Sequence, residues 1–221
     1  MAALRKAGGG RWLWHLPLLA AVALLRPATA AGLFFPDVDQ ALLSVLGHRS
    51  VVTHSILLPL LALAAAPAVM ARLRSRIGTD AALGAERSAA WFLAWFLLGV
   101  AIHLMADTVP LGCRGYALAK LPSLPLVAHP ASLPCGASLL WFAANAVAAL
   151  ALCEWLMRRE GQTVTTARYL ASGVVLAVYV LAHEQRPLLL PVLAVAWAAA
   201  ALAARAAVLA LERRHDDGAP G

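Results

Sequence analysis

Charge is what this chain has least of. Asp, Glu, Lys and Arg make up 13% of its 221 residues, against about 25% in an ordinary soluble domain. With 62% hydrophobic residues and a mean hydropathy of +0.77, too little polar surface exists to cover a water-soluble core. That excludes the soluble globular classes and leaves an integral membrane protein. Cysteine is scarce as well: the three present show no metal-knuckle spacing, which removes the zinc-knuckle classes. No internal repeat is visible. The net charge of +7 comes from short basic clusters set between apolar runs. Such clusters mark membrane topology and argue against a direct nucleic-acid partner.

Apolar runs are what the chain has in abundance. Segments near residues 12–34, 54–71, 89–106, 136–157, 167–184 and 187–211 are each long enough, or nearly so, to cross about 30 Å of hydrocarbon as a helix. The expected fold is therefore an all-α integral membrane bundle of about six transmembrane helices. It forms a single domain over residues 1–211, and residues 212–221 follow as a disordered tail. Alternating the spans sends Arg5, Lys6, Arg11, Arg72, Arg74, Arg76, Arg87, Arg158, Arg159, Arg168, Arg213 and Arg214 to one side. Arg49, Arg114, Lys120 and Arg186 go to the other. The positive-inside rule then puts both termini in the cytoplasm. A rival reading takes the basic start, the apolar run and "ATAAG" (Ala28 to Gly32) as a cleaved secretory signal, which leaves five spans. The Pro-rich loop from Asp107 to Cys135 is too long for a mere connector. A disulfide between Cys113 and Cys135 would close it on the oxidising side.

The scarce ionisable groups are not scattered. His48, His54, His103, His129 and His183, five of the seven histidines, fall at the outer helix ends with Asp37, Asp39, Asp107 and Glu184. Burying such groups without partners is expensive, so their gathering points to function. In "PDVDQALLSVLGHR", Pro36 ends the first span and Asp37 caps a short interfacial helix with Gln40 at the capping-box position. Val38, Ala41, Leu42, Val45 and Leu46 share one face of that helix, and Gly47 ends it. Capping accounts for Asp37 but not for Asp39 or the histidines that follow.

In "GHRSVVTHS", His48 and His54 flank Arg49 and Thr53. A helix starting near Ser50 would point His54 from its first turn. In "HLMAD", His103 and Asp107 lie four apart on one helix face. The spacing H-x-x-x-D also occurs in membrane phosphatases of the lipid-phosphatase type, but their Lys/Arg-Pro and Pro-Ser-Gly-His elements are absent here. Together Asp37, Asp39, His48, His54, His103 and Asp107 supply three carboxylates and three imidazoles. This mixed set suits one or two divalent ions, Zn²⁺, Mn²⁺ or Fe²⁺. Arg49 suits a phosphate clamp, or equally a partner for Asp37 or Asp39. His183, Glu184 and Arg186 occupy the tight turn between the last two spans, where a solvated turn and an outer shell of the site are both open.

The elements "PDVD", "GHRSVVTHS" and "HLMADTVPLG" resemble those of the YdjM-like family. Its members are described as LexA-binding, inner-membrane-associated hydrolases and as membrane-bound metal-dependent hydrolases. The resemblance covers roughly residues 33–125. It implies a multi-pass protein of the bacterial inner membrane with Asp37, Asp39, His48, His54, His103 and Asp107 as metal ligands. The sequence departs from the family pattern at two points. Ser50 stands where Gly or Pro is usual, and His15 precedes Asp37 by a single span. That places His15 near the opposite face, about 30 Å away by helix rise, so it is not carried over.

The expected function is metal-dependent hydrolysis of a phosphoester at the outer membrane surface, such as a lipid headgroup or an undecaprenyl-type phosphate. Membrane lipids are the expected partners. Asp107, Asp39 and Arg49 are the candidate catalytic groups, the carboxylates as general base and Arg49 steadying the anion. The alternatives are a non-catalytic metal or proton transporter, a membrane regulator that binds a partner, and a purely structural cluster of hydrogen-bonded groups. A conduction path would need polar residues along the spans, and below the outer third these are few beyond Asn145, Glu154 and Arg205.

Overall fold

The computed structural model describes residues 26–42, 49–108, 135–183 and 187–217, and every element among them is helical. Helix α1 (Pro27–Phe34) leads through Phe35 into a 3₁₀ turn, Pro36–Leu42. Then come α2 (Leu57–Ile77), α3 (Thr79–Ala106), α4 (Cys135–Arg159) and α5 (Thr166–His183). A short 3₁₀ turn, Pro187–Leu189, precedes α6 (Leu190–Asp217). Four helices are long and apolar enough to cross a membrane: α2, α3, residues Gly136–Arg159 of α4 and Leu190–Arg214 of α6. The fifth apolar helix, α5, is shorter. The chain is an all-helical membrane protein, as its composition requires.

Helix α3 is the axis of the bundle. From Ala94 to Ala106 nearly every side chain is buried, because α1, α2, α4 and α5 all pack on it and α6 touches it. The approach of α1 is the closest. A Cβ on Gly32 would overlap the Phe96 carbonyl, and one on Gly99 would overlap the Thr29 carbonyl. Two glycines thus let two backbones touch, the small-residue packing that works where lipid offers no hydrophobic drive. Gly78, at φ 83, makes the whole connection between α2 and α3, a conformation that a residue with a Cβ adopts only at a cost.

Among the described residues the ion pairs fall in two groups along α3. One end holds Arg74, Glu86, Arg158, Arg159 and Glu212. There Arg74 and Arg159 share Glu86, at 3.3 and 3.5 Å, and Arg158 bridges Glu154 and Glu212, at 2.9 and 3.3 Å. The other end carries His103, 17 residues from Glu86 and so about 25 Å away by helix rise, with Asp107 one turn further on.

Several boundaries differ from the sequence reading. Of the first expected span, 12–34, only α1 belongs to the described residues. Of the expected interfacial helix, residues 36–42 form a 3₁₀ turn, while Val45, Leu46 and Gly47 lie outside the described residues; Gln40 Nε2 donates to Asp37 Oδ1 (2.8 Å) instead of completing a capping box through the backbone. Helix α2 begins at Leu57, not Ser50, because the preceding residues turn around the Asp39 carboxylate. Residues 212–217, expected in a disordered tail, continue α6, where Glu212 gains Arg158 as a partner. His48, His129, Glu184, Arg186 and Cys113 lie outside the described residues, as do the side chains of His183 and Cys135.

Candidate metal centre

Each part of the centre is delivered by a different local device. The 3₁₀ turn after α1 presents Asp37 and Asp39 side by side. Asp39 is fully buried, and its Oδ2 accepts from the Ser50 backbone N–H (3.0 Å) and from Thr53 Oγ1 (3.0 Å). Ser50 therefore supplies an N–H that a proline at that position would lack. These bonds curl residues 49–56 into a compact turn and seat His54 above Asp39. From the other side α4 fastens the same segment. Trp141 Nε1 donates to the His54 carbonyl (3.1 Å), and Asn145 Oδ1 accepts from the Ile56 N–H (3.1 Å). Helix α3 delivers His103 in its last turn and Asp107 just beyond it.

The tautomers follow from the partners. His103 Nδ1 lies 2.8 Å from the Leu33 carbonyl, an acceptor only, so Nδ1 must carry the proton. Tyr179 Oη stands 3.0 Å from the same nitrogen. His54 Nδ1 lies 3.2 Å from Asp39 Oδ2 and 3.1 Å from Thr53 Oγ1, whose hydroxyl already donates to Asp39, so this nitrogen is also the donor. Both imidazoles thus turn Nε2 toward the interior of the site. A histidine held through one nitrogen by a carboxylate or carbonyl, with the other turned inward, is the usual posture of a metal-ligating histidine.

Those Nε2 atoms converge on one carboxylate oxygen. Asp107 Oδ2 is 3.4 Å from His54 Nε2 and 3.5 Å from His103 Nε2. These separations exceed the roughly 2.7–3.2 Å of a good N–H···O bond. Asp107 Oδ2 is buried and has no hydrogen-bond partner among the described residues, a costly condition for a carboxylate oxygen. Ligands about 2.0–2.1 Å from a tetrahedral zinc stand roughly 3.3–3.4 Å apart, close to the spacing seen here. Asp37 Oδ1 lies 4.0 Å from His103 Nε2, and Asp37, His54 and His103 each offer a ligand atom within 4.8 Å of the others. The donor set fits a divalent ion.

The electrostatics of His54 and Asp107, outside the spans, fit this arrangement. Burial pushes the His54 imidazole below its ordinary pKa, against the hydrogen bond to Asp39. Burial alone would raise the Asp107 carboxyl, but His103, Arg49 and His54 outweigh it and hold the pKa below its ordinary value. A neutral imidazole and an ionised carboxylate are the forms that bind metal. Arg49 Nη2 donates to Asp107 Oδ1 (3.0 Å), and its guanidinium lies 5.9 Å from the centre of the Phe142 ring. Its backbone sits at φ 60, a strained region for a residue other than glycine, held by the turn around Asp39.

Of the residues singled out from the sequence, the structure brings Asp37, His54, His103, Asp107 and Arg49 together. Asp39 stands behind His54, on the side away from the convergent atoms. Tyr179, Trp141, Asn145 and the Leu33 carbonyl are the contributions that motif reading did not assign to the site. The signal for Tyr179 was a phenol in an otherwise apolar span, where the hydroxyl needs a partner. Comparison of the chain with known protein families, curated proteins and solved structures gives no match.

Proposed function

We propose that this protein is a membrane-bound, metal-dependent hydrolase acting on a phosphoester at the membrane surface, in keeping with its resemblance to the YdjM-like family. The observation that carries the reading is the convergence of His54 Nε2, His103 Nε2 and Asp107 Oδ2 at 3.4 and 3.5 Å, with both imidazoles fixed from behind. His54, His103 and Asp107 hold the ion, which is Zn²⁺, Mn²⁺ or Fe²⁺ by donor chemistry. Such an ion supplies Lewis acidity, both to water and to a phosphoryl oxygen. Asp39 orients His54, and the Leu33 carbonyl orients His103. Asp37 has the most exposed side chain of the four acidic and imidazole groups at the centre, at 28%. It lies on the side open to water and is the carboxylate placed to accept a proton. Arg49 engages Asp107 through one nitrogen and keeps further N–H donors for a phosphate.

A conduction path is the weaker reading because two of the few polar groups within the spans, Asn145 and Glu154, are engaged within the protein. Asn145 serves Ile56 and the Trp141 carbonyl. Buried Glu154 accepts from Arg158, the Val164 N–H and Tyr169 Oη. The topology proposed with this function has both termini in the cytoplasm and the metal centre at the outer face. The deciding experiment is metal analysis by mass spectrometry on detergent-purified wild type and His103→Ala, followed by a phosphoester screen. About one transition-metal ion per chain, lost in a folded His103→Ala variant, supports the centre. A wild type that stays metal-free after incubation with Zn²⁺ or Mn²⁺ overturns it.

A further inference from the structure

Helix α2 stands off from the bundle. Its apolar window is 6% buried, against 67% for α3. Polar ties hold its two ends, Ile56 N–H to Asn145 at one and Arg74 to Glu86 at the other. Behind it lie two apolar grooves, of about 760 and 460 Å³, each within the roughly 300–1,000 Å³ of ordinary ligand sites. The larger runs between α2 and α4, past Leu60, Ala151 and Leu152. The smaller runs between α2 and α3, past Ala62, Ala89 and Phe92. Both include Leu63, Ala66, Met70, Glu86 and Arg159, so they converge at the arginine-rich end of the bundle.

We propose that these grooves seat the two acyl chains of one anionic phospholipid, with its phosphate on Arg74 and Arg159. The charges fit. The two guanidiniums share the single carboxylate of Glu86 at 3.3 and 3.5 Å, and each is about half exposed, at 48% and 59% of its side chain. Each therefore keeps N–H donors directed to the membrane surface, where a phosphate accepts them in pairs. Arg72 and Arg76 line neither groove, and Glu160 stands at the rim of the smaller one. Arg159 also lies 5.9 Å from the centre of the Trp155 ring, an amphipathic anchor at headgroup level. The depth fits too. Leu63 to Arg74 spans 11 residues, about 16 Å of helix rise, close to half of the roughly 30 Å hydrocarbon core. Basic pockets between transmembrane helices are recurrent sites for acidic headgroups. The lipid fills the space behind α2 and so seats the helix that begins three residues after His54. This site is separate from the metal centre.

The test is native mass spectrometry of the full chain, released from detergent after equilibration with phosphatidylglycerol or with phosphatidylcholine. Wild type is expected to retain one phosphatidylglycerol per chain and far less phosphatidylcholine. Arg74→Gln/Arg159→Gln should retain about tenfold less, and Arg72→Gln/Arg76→Gln should retain the wild-type amount. Ala66 lines both grooves, so Ala66→Phe should expel the lipid with every arginine intact, and circular dichroism confirms that each variant is folded. Equal retention of the two lipids overturns the proposal, as does undiminished retention in the arginine double variant or in Ala66→Phe. A lipid-free dimer would assign the grooves to a second copy of the chain and overturn it equally.

Discussion

His54 and His103 each give one nitrogen to the protein and turn the other toward Asp107, and this division of labour separates the roles of the acidic residues. Asp39→Asn should leave the inner donors in place but loosen His54, lowering metal affinity about 10–100-fold, as loss of an orienting partner does; a metal-buffer titration reads this. Asp37→Asn should keep the metal and lose turnover, so metal content and activity part company in that variant alone. Acidification should act through His54. Its pKa in the folded chain lies below its unfolded value, so the unfolded state takes up the proton first. Stability is then present above about pH 6.5 and declines as pH falls through the folded value. Metal retention should fall over the same range, which dialysis at pH 7.5 and pH 5.5 followed by metal analysis would show.

Among the elements, the approach of α1 to α3 decides whether the Leu33 carbonyl reaches His103. Gly99→Ala places a methyl group against the Thr29 carbonyl. It should destabilise the protein by about 1–3 kcal/mol or more and weaken metal binding at the same time. Thermal unfolding with and without added Zn²⁺ separates the two effects. The clamp from α4 is the second such device: Asn145→Leu leaves the Ile56 N–H without its acceptor, at about 1–3 kcal/mol. Neither device was visible in the motifs. The sequence reading found the polar residues of 36–55 but laid them on a surface helix and a helix start. Among the described residues, the structure makes 36–42 a 3₁₀ turn and winds 49–56 on Asp39. Local pattern favoured a helix there; a buried carboxylate that needed donors prevailed.

Among the described residues the ion pairs gather at two places along α3, the axis of the bundle. The arginine-rich end is bound by ion pairs across α2, α3, α4 and α6. The other end holds the imidazoles and carboxylates. Outside the six expected spans, the basic residues divide twelve to four, so a fluorescent reporter fused to the C-terminus should report the cytoplasm. An extracytoplasmic reporter would invert the proposed topology and move the metal centre to the inner face.

The sequence alone determined the solvent of this protein. A chain with 13% charged residues and apolar runs of membrane length has to satisfy its backbone internally, and helices do so without a partner strand. It also pointed to the side chains too costly to bury idly, Asp37, Asp39, His48, His54, His103 and Asp107. What the tertiary structure decided was which of their atoms meet. The proton positions on two imidazoles depend on Leu33 and Asp39, 70 and 15 residues away from the rings they orient. The bare oxygen of Asp107 exists only because α3 ends where the turn around Asp39 arrives. Spacing along the chain records which residue types are present; contacts between distant segments fix their direction, because a side chain takes its orientation from what it packs against.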